Sequence, residues 1–94
     1  MSRAASYRSA ADDLRRAGAE FTGVAVAHRH AGAATFGATG PVATIHDRSV
    51  ETVGRHLAIA AEQSTRLAIE CDRRAEVCDE YDRQLASWSA LPWH

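Results

Sequence analysis

The stretch VETVGRHLAIAAEQSTRLAIECDRRAEVCDEYDRQLASW, residues 50–88, decides the fold. Apolar or small residues recur in it at Val50, Val53, Leu57, Ala60, Ser64, Leu67, Cys71, Cys78, Tyr81, Leu85 and Trp88, in steps of three and four. That period places them along one seam of an α-helix, interrupted only by Ser64 and Arg74. Beside the seam runs a column of Gly54, Ala61, Ala68 and Ala75, whose lack of bulk lets another helix approach closely. Ile59, Ile69 and Val77 fall off the seam and leave apolar surface for a second contact. Pro92 stops the helix after Trp88.

Working outward, the first half repeats the design. Tyr7, Leu14 and Phe21 are spaced by seven, Ala10, Ala17, Val24 and Ala31 form the adjacent stripe, and Ala4, Ala11, Gly18, Ala25 and Gly32 make a small column. Bulky anchors beside a small-residue groove on both helices suit an antiparallel pair that interdigitates large into small. Between the halves, Gly32, Gly37, Gly40 and Pro41 break the period, so the bend belongs there. The expected architecture is therefore all-α, a single two-helix hairpin: helix one over about 3–33, the bend over about 34–45, helix two over about 46–89 and a short tail at 90–94. Pro41 in a first turn, or Thr44 with Asp47 as a capping box, leaves the start of helix two anywhere from 41 to 49.

Composition narrows the function. Ninety-four residues make one domain at most, and a solitary hairpin of this size buries too little surface to be more than marginally stable, so a partner or self-association is expected. The eleven basic residues are all Arg and nearly balance twelve Asp and Glu, which gives no basic field for a nucleic-acid backbone. No stretch approaches the ~18 apolar residues of a membrane span, and MSRAASYRSA lacks the apolar run of a secretory signal. Acid stands four residues before base in Asp12–Arg16, Glu51–Arg55, Glu62–Arg66, Glu70–Arg74 and Asp79–Arg83, the favourable order for a solvated helix face.

Chemistry is sparse. His28, His30, His46 and His56 could gather near the bend, but no HxxxH or ExxH spacing puts two ligands on one helical face, so no metal is expected. There is no phosphate-binding glycine loop and no CxxC motif, and an Ala-rich hairpin offers no concave pocket, so neither cofactor nor small-molecule substrate is expected and the chain reads as no enzyme. Cys71 and Cys78, seven apart on one helix, stand about 10 Å apart along it, beyond disulfide reach of each other. They read as small buried apolar residues, with a bond to another chain as the second reading. Trp88 on the seam reads as core.

An Ala-rich first helix, FGATGP at the bend, VGRHLAIAAEQ in helix two and RRAEVCDEYDRQLASW near its end make a pattern over nearly the whole chain. It resembles the small helical-hairpin proteins of actinobacterial type VII (ESX) secretion, the EspC-like and WXG-type substrates. Phe36-Gly37 stands where the family's W-x-G turn would be, and Tyr81 is followed four residues on by Leu85 where an acidic export signal would stand. The resemblance implies a cytoplasmic protein before export that leaves without a signal peptide, carried by a partner that supplies the signal, or a targeting factor for a toxin's helical leader. It implies another helical protein as partner, a heterodimer first and a homodimer second, joined as a four-helix bundle. The partner-binding anchors expected are Tyr7, Leu14, Phe21, Leu57, Leu67, Tyr81, Leu85 and Trp88. The competing class is a homodimeric structural or regulatory module unrelated to secretion.

Overall fold

The computed structural model describes residues 2–34 and 40–92, the side chains of 32–34 excepted; Phe36-Gly37 and Trp93 lie outside the described residues. Among the described residues two helices make up the fold, α1 (Arg3–Ala34) and α2 (Pro41–Ser89), packed against each other along their length. The hairpin measures 82 × 17 × 12 Å, with a radius of gyration of 22.5 Å. A compact chain of this length would have a radius near 12 Å, so the molecule is a rod.

Local chemistry sets the ends. Ser2 caps α1, its hydroxyl accepting the backbone N–H of Ala5 at 3.1 Å. α2 begins earlier than the expected residue 46, because Pro41 takes a first-turn position with its preset φ and Gly40 turns the chain at φ 76°. Thr44, read as a capping residue, lies inside the helix and donates its hydroxyl to the Gly40 carbonyl at 3.2 Å. At the far end Ala90 still donates to Ala86 and Leu91 to Trp88, before Pro92 prevents another turn.

The small columns form the closest approach. Ala4, Ala11 and Ala25 of α1 and Ala68 and Ala75 of α2 are the buried apolar side chains among the described residues, joined by buried Gly18 and Ser64. A methyl group placed on Gly18 would meet the Ala61 carbonyl oxygen at 3.4 Å and Ser64 Cβ at 3.5 Å. Carrying the Gly18–Ser64 pairing along both helices seven residues at a time sets Ala11 level with Cys71, Ala4 with Cys78 and Ala25 with Leu57. One turn over, the same register sets Tyr7 level with Ala75 and Leu14 with Ala68, large against small. Because α2 is the longer helix, its end runs past the start of α1, and every residue from Glu80 to Ala90 is exposed. That overhang is about 15 Å long at ~1.5 Å per residue.

Candidate partner-binding face

The hairpin has two unlike flanks, separated by the small-residue seam. On one, Arg8 bonds to Asp79 and Arg15 to Asp72 across the two helices. The Asp79 carboxylate, through its hydrogen bond and charge, raises the Arg8 pKa above its ordinary value, and Asp72 does the same for Arg15. Asp79 is therefore tied to α1, and Arg83 pairs with Glu80 instead. Arg16 likewise takes Asp13, whereas Glu62–Arg66 and Glu70–Arg74 form as spaced. The cross-helix pairs were readable in principle: bases at 8 and 15 and acids at 72 and 79 share one seven-residue step and run in opposite directions.

The opposite flank is apolar. At 100° per residue, Tyr7, Leu14, Phe21 and Val24 of α1 turn to the side away from Arg8 and Arg15. Val53, Leu67, Cys71, Cys78, Tyr81, Leu85 and Trp88 of α2 turn to that same side. Tyr7 and Leu14 are half-buried, Phe21 is 37 % exposed, Leu67 55 %, Tyr81 51 %, Leu85 46 % and Trp88 56 %. Leu57 differs: it shares the column of Ser64, Ala68 and Ala75, is half-buried, and sits on the seam between the two helices. The expectation that Trp88 is core fails, because α1 begins too late along the rod to cover it. Cys71 and Cys78 are free and half-buried at the edge of this flank, not enclosed as expected.

Charge also stands on this face, at Arg74 and at Arg3 beside Cys78 and Tyr81. Arg74 bonds to Glu70 at 3.2 Å, and the Tyr7 hydroxyl oxygen, with Glu70 second, raises its pKa above the ordinary value. Its charge is thereby answered within the chain. Two apolar residues that sequence reasoning left in the bend, Val42 at 58 % and Ile45 at 65 % exposure, extend the face towards the hairpin's closed end. The signal for them was Pro41: placed in the first turn, it makes both residues helical.

Elsewhere the surface offers little chemistry. A shallow groove of about 470 Å³ lies between Ala25 and Gly54, rimmed by Arg29, Arg55, Asp47 and Glu51. His28 Nε2 contacts the Val50 carbonyl oxygen at 3.1 Å, which ties the helices together near the bend. Among the described residues no group of three or more His, Cys, Asp or Glu is placed to hold a metal ion, and no helix is long and apolar enough to cross a membrane. Comparison with protein-family models, with curated proteins and with solved structures finds no match to this chain.

Proposed function

We propose that this chain is a non-enzymatic pairing subunit, whose hairpin lends its apolar flank to a second helical hairpin to complete a four-helix bundle. One observation carries the reading: the chain's own fold buries alanines and leaves its large apolar side chains at the surface. Among the described residues thirteen large apolar side chains are exposed, from Phe21 to Trp88. The total accessible surface is 7039 Å² for a 10.1 kDa chain, whereas a compact monomer of that mass exposes about 5,300 Å². The excess, roughly 1,700 Å², is the surface that an isolated rod exposes beyond a compact chain of its mass. Docking of a matching hairpin along the flank would cover its exposed apolar side chains.

The setting we propose is a type VII secretion system, in which the chain is a secreted subunit or the targeting partner of a toxin. Support for that finer statement is the pattern of an Ala-rich hairpin of this length with no acidic residue four places after Tyr81, which suits a subunit carried by another protein. The test is co-expression with a helical-hairpin protein encoded beside it, read by light scattering on the eluting species. Assembly of the chain, with itself or with that neighbour, supports pairing, and its loss in the double variant Leu67→Arg with Leu85→Arg assigns it to the flank. A stable, monodisperse monomer in both preparations overturns it.

A further inference from the structure

We propose that the groove between Ala25 and Gly54, near the closed end of the hairpin, binds a short free peptide, with its carboxylate between Arg29 and Arg55 and its amine at Asp47 and Glu51. A ladder of ion pairs joins the two helices along this flank. Arg8 meets Asp79 and Arg15 meets Asp72, one seven-residue step apart in each helix. Carried on by the same step, Thr22 comes level with Thr65 and Arg29 with Ala58, so the base recurs where the acid does not. Ala58 lines the groove together with Arg29. The partner missing from this rung is a carboxylate.

The other charges at the rim are equally unanswered. Glu51 and Arg55 have the spacing that forms an ion pair at Glu62–Arg66 and Glu70–Arg74 on the same helix. Yet Arg29, Asp47, Glu51 and Arg55 are all exposed and make no hydrogen bond or ion pair among the described residues. Two guanidiniums and two carboxylates suit a zwitterion, whereas a simple anion would be repelled by Asp47 and Glu51. Along α2 these acids stand about 12 and 6 Å before Arg55, at ~1.5 Å per residue. A tripeptide spans about 10 Å, and a single amino acid is too short to reach both ends. Its middle side chain would lie over Val50 and Gly54, on the apolar floor. Gly54 keeps that floor open: an added Cβ would meet nothing within 4 Å, so packing against α1 does not require the glycine, although glycine weakens a helix. The volume of about 470 Å³ lies within the roughly 300–1,000 Å³ of small-ligand sites. At 100° per residue Asp47, Gly54 and Ala58 turn to the side of Asp72 and Asp79, away from Leu67 and Leu85. The site is thus separate from the apolar flank and independent of the pairing reading.

The experiment is an NMR titration of the full, isotope-labelled chain with alanyl-leucyl-alanine. The expected result is saturable shifts at the amides of residues 25–29 and 50–58 and at the side chains of Arg29 and Arg55. Blocking one end of the peptide, by acetylation or amidation, should weaken binding about two- to fivefold, and free leucine should bind more weakly still. Gly54→Leu places a side chain in the open floor and should abolish binding, while circular dichroism shows the helices intact. In the variant Arg29→Gln with Arg55→Gln, amidation of the peptide should cost nothing further, which assigns the carboxylate to these two residues. Absence of saturable shifts, shifts confined to the surroundings of Leu67 and Leu85, or binding that survives Gly54→Leu overturns the site. A doubly blocked peptide, or free leucine, that binds as tightly as the free tripeptide overturns the zwitterion and its spacing. None of these outcomes touches the pairing reading, which is tested by mass.

Discussion

Gly18 is the position where the closeness of the two helices can be measured by a change of sign. A methyl group there would meet the Ala61 carbonyl oxygen at 3.4 Å, Ser64 Cβ at 3.5 Å and Thr65 Oγ1 at 3.7 Å, all ordinary contact distances. Gly18→Ala therefore fits, and it removes the conformational freedom that glycine loses on becoming helical, a gain of about 1 kcal/mol. Gly18→Leu places three more carbons where the opposing backbone already stands, and overpacking of this kind costs about 1–3 kcal/mol. For a chain of this size each kcal/mol moves the thermal midpoint by roughly 4–8 °C. Alanine should therefore raise Tm and leucine lower it. The assay is thermal and urea unfolding followed by circular dichroism at one fixed protein concentration, since assembly shifts the midpoint. A loss of stability in Gly18→Ala would mean that the helices pack closer than described. Equal stability of the alanine and leucine variants would mean that no packed seam exists at Gly18.

Other sites give independent outcomes. At Gly23, where an added Cβ meets nothing within 4 Å, alanine should gain only the helix-forming contribution, about 1 kcal/mol. Gly40→Ala should lose about 1–3 kcal/mol by urea unfolding, because φ 76° with ψ −147° is a conformation that side chains resist. Arg15→Glu and Asp72→Arg should each lower the thermal midpoint slightly and restore it when combined, and the coupling should fade in about 1 M salt, where the screening length is near 3 Å. Arg83 holds the Glu80 carboxyl below its ordinary value. The stability it adds is present above that ordinary value of 4.5 and is lost as pH falls through the lowered one, so an acid titration by NMR should show the Glu80–Ser89 segment losing helicity only below the ordinary value, while the paired part of the rod persists.

Much of the fold was legible because a helical period needs only residue type and spacing. The small columns at Ala4, Ala11, Gly18 and Ala25 and at Ala68 and Ala75 mark the buried seam, and Pro92 marks the stop. The start of α2 was less legible, since Pro41, Thr44 and Asp47 each carry a credible starting signal and only the backbone around Gly40 decides among them. Burial was the hardest part to read. A seam position says which way a side chain turns, not whether another helix reaches that height, and Trp88 stands beyond the start of α1. Leu57 shows the converse: its column is the one that α1 covers, so it serves the hairpin's own seam while Leu67 and Leu85 remain outside. A single sequence carries no term for the relative lengths of two helices until both ends are fixed.

The most direct measurement is the thermal midpoint of the purified chain across a hundredfold dilution, with the molar mass recorded at each concentration. If the large apolar side chains are enclosed only by a partner hairpin, folding is coupled to assembly, and the midpoint must fall together with the mass as the protein is diluted. A midpoint that stays constant over the series, with a mass of one chain throughout and no change when the neighbouring hairpin protein is added, would show a hairpin stable on its alanine seam alone and would contradict the pairing function.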